Sequence, residues 1–283
     1  MKIKKILLLS LVIGFFLTGC FKRDTMDNIK IYTTTYPIEY MVSEIYGFNS
    51  VIDSIYPNGV DIKKYKLTDK QIEEYAKSDM IVYDGLSSKE KSIAAKFLND
   101  NGSIKVIDVS KGISLQNDEE ELWLCPSNYL MLAQNVKNEL LEYITSTVLI
   151  KEIETNYENL KLTVSKYDAE LKLVAENASN KTIVAGNNVF EFLEKYGYKV
   201  LNVEDDDEVN QAKNIVKAGS CSYVFVLDTD EESENVKALV AAGAKKVIIN
   251  SMTTLNDTDK ANGINYQSVI ENLIDSVKTE VYN

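Results

Sequence analysis

Histidine, the commonest general base and a frequent metal ligand near neutral pH, is absent from all 283 residues. No Ser-His-Asp or Cys-His arrangement can be built, and no glycine-rich phosphate loop occurs, so an enzyme is not expected. The cysteines are Cys20, Cys125 and Cys221. Their wide spacing makes neither a disulfide framework nor a zinc motif, and Cys125 and Cys221 are expected to be small buried residues. The acidic runs 204–208 and 228–234 lack the glycine and closing glutamate of a calcium loop. They are expected to be solvated loops whose acids start helices. Seventeen tyrosines could line a cleft for an organic ligand, although most are expected to pack at half-buried positions. What remains for chemistry is a scatter of Lys, Glu, Asn and Ser side chains, and their use depends on where the fold puts them.

The elements that must position them alternate. Strands are expected at 29–34, 51–56, 80–85 and 104–109, with helices at 36–47, 68–78 and 89–100 between them. An acidic and apolar loop, QNDEEELWLCPS, covers 116–127, and a helix follows at 128–147. From Leu149 to Asn177 there is neither proline nor glycine. Its apolar residues Ile153, Tyr157, Leu160, Val164, Tyr167, Leu171 and Val174 recur every three or four positions, which predicts one long helix. Strands then resume at 182–186, 198–203, 223–227 and 245–250, with helices at 188–196, 207–218, 232–242 and about 265–281. Short Val- and Ile-rich runs separated by amphipathic helices predict an α/β fold of two lobes. Each lobe has a mainly parallel sheet flanked by helices, and the long helix joins them. The expected division is a leader over 1–19, a tether over 20–28, a first lobe over 29–148, the linking helix over 149–177 and a second lobe over 178–283.

Ligands of open parallel sheets bind outside the carboxyl ends of the strands. That rule selects four places: the loop PNGVDIKKYKLTDKQI, which contains Lys63; the acidic loop before Trp123; the turn at Asn187 and Asn188; and the turn at Asn250 and Ser251. Two come from each lobe, so a cleft between them is expected.

The first residues carry an address. Lys2, Lys4 and Lys5 precede an apolar run from Ile6 to Leu17, and the stretch closes on Leu-Thr-Gly-Cys at 17–20. The run is shorter than the roughly 20 residues of a spanning helix, and reads as an export signal. Its end resembles the lipobox of bacterial lipoproteins, which implies lipidation of Cys20 and anchoring to the outer face of the cytoplasmic membrane. The chain carries a net charge of -12, and loss of the leader removes lysines and no acid. Such acidity argues against nucleic acid as a partner.

Several stretches together are similar to the solute-binding lipoproteins of zinc and manganese ABC importers. TTTYPIEYMVSEIYG resembles that family's opening strand and helix, and YPNGVDIKKYKLTDKQIEEYAKSDMIVYDG resembles its next stretch. LWLCPSN resembles its Trp-Leu-x-Pro segment, NYENLKLTVSKYDAELK the start of its linking helix, and NNVFEFLEKYGYKV a segment ending in Tyr-Gly. The resemblance implies the cluster A-I type of solute-binding fold, a permease and an ATPase as partners, a monomer, and zinc or manganese as cargo. Carried over one by one, the family's metal ligands fall on Lys63, on Glu121, on Asn187 or Gly186, and on Ser251 or Asn250. Glu121 is then the only good remaining donor, and no intact metal site is expected. An ammonium beside a divalent cation is strongly unfavourable. Lys63 is therefore expected to lie near Glu121 as a built-in cation, the alternative being a surface lysine that points into solvent from its loop. Two readings follow: a binding component with altered metal binding or a non-metal solute, or a surface lipoprotein with a role such as adhesion.

Overall fold

The computed structural model describes residues 28–113, 121–230 and 233–282. The leader, Cys20, most of the tether and part of the acidic loop before Trp123 lie outside them. Two sheets form, each of four parallel strands. The first comprises β1 (Ile29–Thr33), β2 (Ser50–Ser54), β3 (Met80–Tyr83) and β4 (Lys105–Asp108), in the order β2-β1-β3-β4. The second comprises β5 (Thr182–Ala185), β6 (Lys199–Asn202), β7 (Tyr223–Leu227) and β8 (Lys245–Ile249), in the order β6-β5-β7-β8. In both, a strand pairs its sequence neighbour and then the chain crosses over to the other side. That reversal opens a crevice at the carboxyl ends, where neighbouring loops diverge. The expected two-lobed α/β architecture holds, and every strand pairing is parallel.

Helices cover the sheets because their apolar stripes face inward. The first lobe uses α1 (Tyr36–Tyr46), α2 (Asp69–Tyr75), α3 (Ser88–Asp100) and α4 (Pro126–Tyr143). The linking helix is α5 (Thr147–Asn177), and each of its seven apolar positions named from the sequence is buried. The second lobe uses α6 (Asp206–Lys217), α7 (Glu234–Ala242), a short α8 (Asp257–Ala261) and α9 (Tyr266–Val281). Two details differ from expectation. Residues 188–196 wind as a 3-10 helix, ended by Gly197 in the left-handed region at φ 97°. The five-residue α8 was hidden because its sequence, DTDKA, has no buried residue and hence no apolar stripe. Among the described residues no helix is long and apolar enough to cross a membrane.

One core cluster runs from the first lobe through α5 into the second. At its centre the rings of Tyr129 on α4 and Tyr266 on α9 stack 3.8 Å apart, and both are fully buried. The Tyr266 hydroxyl donates to the Trp123 carbonyl at 3.0 Å. The lobes are thus fused by packing as well as by chain connection. Tyr266→Phe is expected to lower unfolding stability by about 1 kcal/mol through the lost hydrogen bond. Tyr266→Ala should cost about 3–5 kcal/mol. Urea denaturation followed by far-UV circular dichroism checks both, and equal losses for the two variants would contradict the stacking role.

Candidate functional site

The loop after β2 is shaped before any ligand is considered. Asp61 accepts the Lys63 N–H on its side chain at 2.9 Å, and its carbonyl accepts the N–H groups of Lys64 and Tyr65. The Lys89 ammonium, in the first turn of α3, donates to the carbonyls of Ile62 and Tyr65 and fastens the loop to the helix. Gly59 holds φ 70°, which favours glycine, and a Cβ there would stand 3.0 Å from the Cβ of Asn256 in the second lobe. Asn58 donates to Asp257, and the Thr254 hydroxyl donates to the Val60 carbonyl at 2.9 Å. One loop therefore bridges both lobes.

The opposite wall comes from the turn that opens α3. Gly85 donates its N–H to Asp108, whose side chain fills the space where a Cβ at residue 85 would sit. That close approach lets Asp84 and Glu90 fold together: Glu90 accepts the Asp84 N–H at 2.8 Å and the Thr34 hydroxyl. Glu90 is fully enclosed, and burial pushes its carboxyl up to about 8 against those two hydrogen bonds. Asp84 is raised too, again chiefly by burial.

Across the seam, Trp123 donates its indole N–H to the Ser251 carbonyl at 2.8 Å. Ser251 is buried, its N–H donates to Asp228 at 2.7 Å, and its hydroxyl lies 3.4 Å from that of Thr253. The adjoining Met252 takes φ 59°, a left-handed conformation uncommon for its type, and the Asn250 side chain accepts its N–H. Thr253 then accepts the Tyr36 N–H through its carbonyl. The turn after β8 thus presses its backbone onto the first lobe.

These walls enclose a cavity of about 580 Å³, lined by Lys63 and Glu121 together with Thr35, Tyr56, Asp84, Glu90, Trp123 and Thr253. Glu121 is 6% exposed. A second cavity, of about 610 Å³, lies at the carboxyl ends of β5 and β7 and is lined by Asn187, Gly186, Asp228 and Asp230. Of the four residues named from the sequence, Lys63 and Glu121 share a cavity, Asn187 lines the other and Ser251 is buried at the seam. Between Asn187 and Gly186 the structure separates roles. A Cβ at Gly186 would lie 2.8 Å from a Val226 methyl, so glycine is required for packing. The Asn187 amide donates to both oxygens of Asp230 at 2.7 and 2.9 Å.

Asp230 is the residue that sequence reasoning missed, having been placed in a solvated acidic loop. Burial raises its carboxyl, whereas the Leu227 N–H, the Asn187 amide and the positive charge of Lys63 act to lower it. A lysine of the first lobe therefore acts electrostatically on a carboxylate of the second, one already gripped by Asn187. No three His, Cys, Asp or Glu side chains among the described residues are placed to hold a metal ion. Both Cys125 and Cys221 are free and buried.

Residues 31–280 match the family described as zinc-uptake complex component A, periplasmic. The chain belongs to this family. Within the ZnuA family, it is 22% identical to the high-affinity zinc uptake system protein ZnuA of Bacillus subtilis, covering 89% of this chain and 87% of that one. It is 23% identical to the zinc-binding lipoprotein AdcA of Streptococcus pneumoniae, over 97% of this chain but only 60% of AdcA. The crystal structure of the metal-dependent lipoprotein YcdH from Bacillus subtilis superposes with a TM-score of 0.76 at 18% identity, covering 90% of this chain and all of that one. The shared fold is that of ZnuA-family binding proteins.

Glu90 provides a pH test of the site's architecture. Its folded value of about 8 lies above the ordinary 4.5, so the protonated form is bound more tightly by the folded state. Its contribution to stability is whole below about 4.5 and disappears as pH rises to about 8. Wild-type stability should fall across that window, and Glu90→Gln should flatten the fall. Chemical denaturation at pH 5 and pH 8.5 measures the difference; parallel curves for the two proteins would contradict the assignment.

Proposed function

We propose that this protein is an exported, lipid-anchored solute-binding component of an ABC importer of the zinc and manganese type, whose cleft is bridged by a lysine ammonium where relatives are named for binding metal. The lipid would sit on Cys20, and cargo would pass to a membrane permease driven by an ATPase. Membership of the ZnuA family supports the importer role. The observation that carries the altered cleft is geometric: Lys63 and Glu121 line one cavity together with Thr253 of the second lobe. Lys63 compares with a metal in one respect only: each brings positive charge to carboxylates from two lobes.

Zinc needs about four nitrogen, sulfur or carboxylate donors, and tight affinity follows from that number. Lys63, Glu121, Asn187 and Ser251 supply one carboxylate, one amide and one hydroxyl. The amide is committed to Asp230, and the ammonium must lose its proton before it can coordinate. At a separation of about 4 Å, a divalent ion beside that ammonium would be repelled by several kcal/mol in a poorly solvated cleft. Lys63 near Glu121 and Asp230 instead neutralises part of the acidity that would push the lobes apart.

The test uses residues 21–283, stripped of metal with a chelator and titrated calorimetrically with zinc and with manganese. Neither ion should bind more tightly than roughly 1 μM. Lys63→Met should lower stability by at most about 1 kcal/mol, because the lysine is solvent-exposed. Submicromolar affinity of the unaltered protein for either ion would sink this reading.

A further inference from the structure

The cavity shared by Lys63 and Glu121 is much larger than a bare ion requires. Its volume of about 580 Å³ falls within the range of roughly 300–1,000 Å³ seen for small-molecule sites. Two hydroxyls belonging to its lining residues have no hydrogen-bond partner within the protein: Thr35 Oγ1 and the Tyr56 OH. Thr35 is 1% exposed and Tyr56 3% exposed. Buried hydroxyls are nearly always paired, so two orphans at one cavity mark groups that another molecule completes. The Tyr56 ring lies beneath the Lys89 ammonium of the first turn of α3, which is 5.5 Å from the ring centroid, and Tyr56 also borders a smaller cavity with Glu39 and Asp53.

The lining also carries both signs of charge. Lys63 and the Ser87-capped N-terminus of α3, a helix of 13 residues, provide positive potential. Glu121 and Asp84 provide carboxylates, and Trp123, Ile62 and Leu86 contribute apolar surface. A simple anion would meet the carboxylates, a simple cation would meet Lys63, and a hydrocarbon would leave the hydroxyls unpaired.

We propose that this inter-lobe cavity binds a small organic zwitterion of the free amino-acid class. The amine is matched by Glu121 and Asp84, the carboxylate by Lys63 and the first turn of α3, and Thr35 and Tyr56 complete their hydrogen bonds on the solute. The proposal rests on the reading of this cleft as a solute site that does not hold metal, and it adds the chemical class of the solute.

Residues 21–283 are unfolded in denaturant, refolded to remove any carried solute, and titrated calorimetrically with each free L-amino acid in turn. Glucose and inorganic phosphate serve as neutral and anionic probes. At least one amino acid should bind with a Kd of about 10 μM or tighter and raise Tm. Its decarboxylated and deaminated analogues should each bind at least about 10-fold more weakly. Tyr56→Phe and Thr35→Val should each weaken binding about 5- to 10-fold, yet leave the Tm of the ligand-free protein unchanged or higher, because each removes a hydroxyl that lacks a partner. Thr35 makes no side-chain capping bond to α1, so Thr35→Val removes no cap. Absence of binding by every amino acid, equal binding of the analogues, or binding of glucose or phosphate alone would overturn the proposal. The metal titration separates the two readings. Tight zinc or manganese binding overturns the account of the cleft itself, whereas no metal and no amino-acid binding overturns only the solute class.

Discussion

The indole N–H of Trp123 donates to the Ser251 carbonyl, and the cavity that Lys63 and Glu121 share with Thr253 depends on the closure this bond marks. Trp123 is buried in a 3-10 turn ahead of α4, and its own carbonyl is held by Tyr266 from α9. A first-lobe side chain and a second-lobe helix therefore define each other's position. Ser251 reaches the seam because Met252 takes a left-handed conformation, which turns the chain after β8 sharply inward. Such backbone conformations persist only when surrounding contacts over-determine them. Here those contacts come from Asn250, Thr253 and Tyr36. Without that turn, the carboxyl ends of the two sheets would not face one another.

Closure brings acid toward acid. The chain has a net charge of -12, and the seam collects Asp84, Glu90, Glu121, Asp228 and Asp230 from both lobes. Three different means reduce the resulting repulsion. Glu90 is held near 8 by burial and so remains largely protonated at neutral pH. Asp228 and Asp230 accept N–H groups from Ser251, Leu227 and Asn187. Lys63 supplies the compensating charge that crosses between lobes.

Much of the fold was legible in the sequence because burial imposes periodicity. The strands read as short Val and Ile runs, and α5 as an unbroken three- and four-residue repeat whose every named position is buried. The site was only partly legible. The rule for open parallel sheets located Lys63, Glu121, Asn187 and Ser251 at strand ends, but it says nothing of which side chains face one another across lobes. Asp230 looked like one more acid in a charged run, and its grip by Asn187 spans 43 residues of sequence. Glu90 occupied an ordinary polar position at the start of an amphipathic helix, and the close approach of Gly85 to Asp108 that encloses it is a tertiary fact. The unpaired hydroxyls of Thr35 and Tyr56 carry no sequence signal at all, since an absent partner is visible only once every neighbour is placed.

Position 63 could change its chemistry without changing its loop because the loop's shape does not depend on that side chain. Backbone groups do the positioning: the Lys63 N–H is taken by Asp61, and the carbonyls of Ile62 and Tyr65 are taken by Lys89. Gly59 allows the tight contact with Asn256, and Thr254 fixes the Val60 carbonyl from the other lobe. Tyr65 packs edge-on against Tyr56 and accepts the Gln71 amide, which anchors the far end of the loop to α2. None of these contacts uses the side chain of residue 63. The loop is thus a fixed arm that presents one exchangeable group to a seam rich in carboxylates. There Lys63 and Glu121 line the same cavity, one from each side of the strand ends of the first sheet.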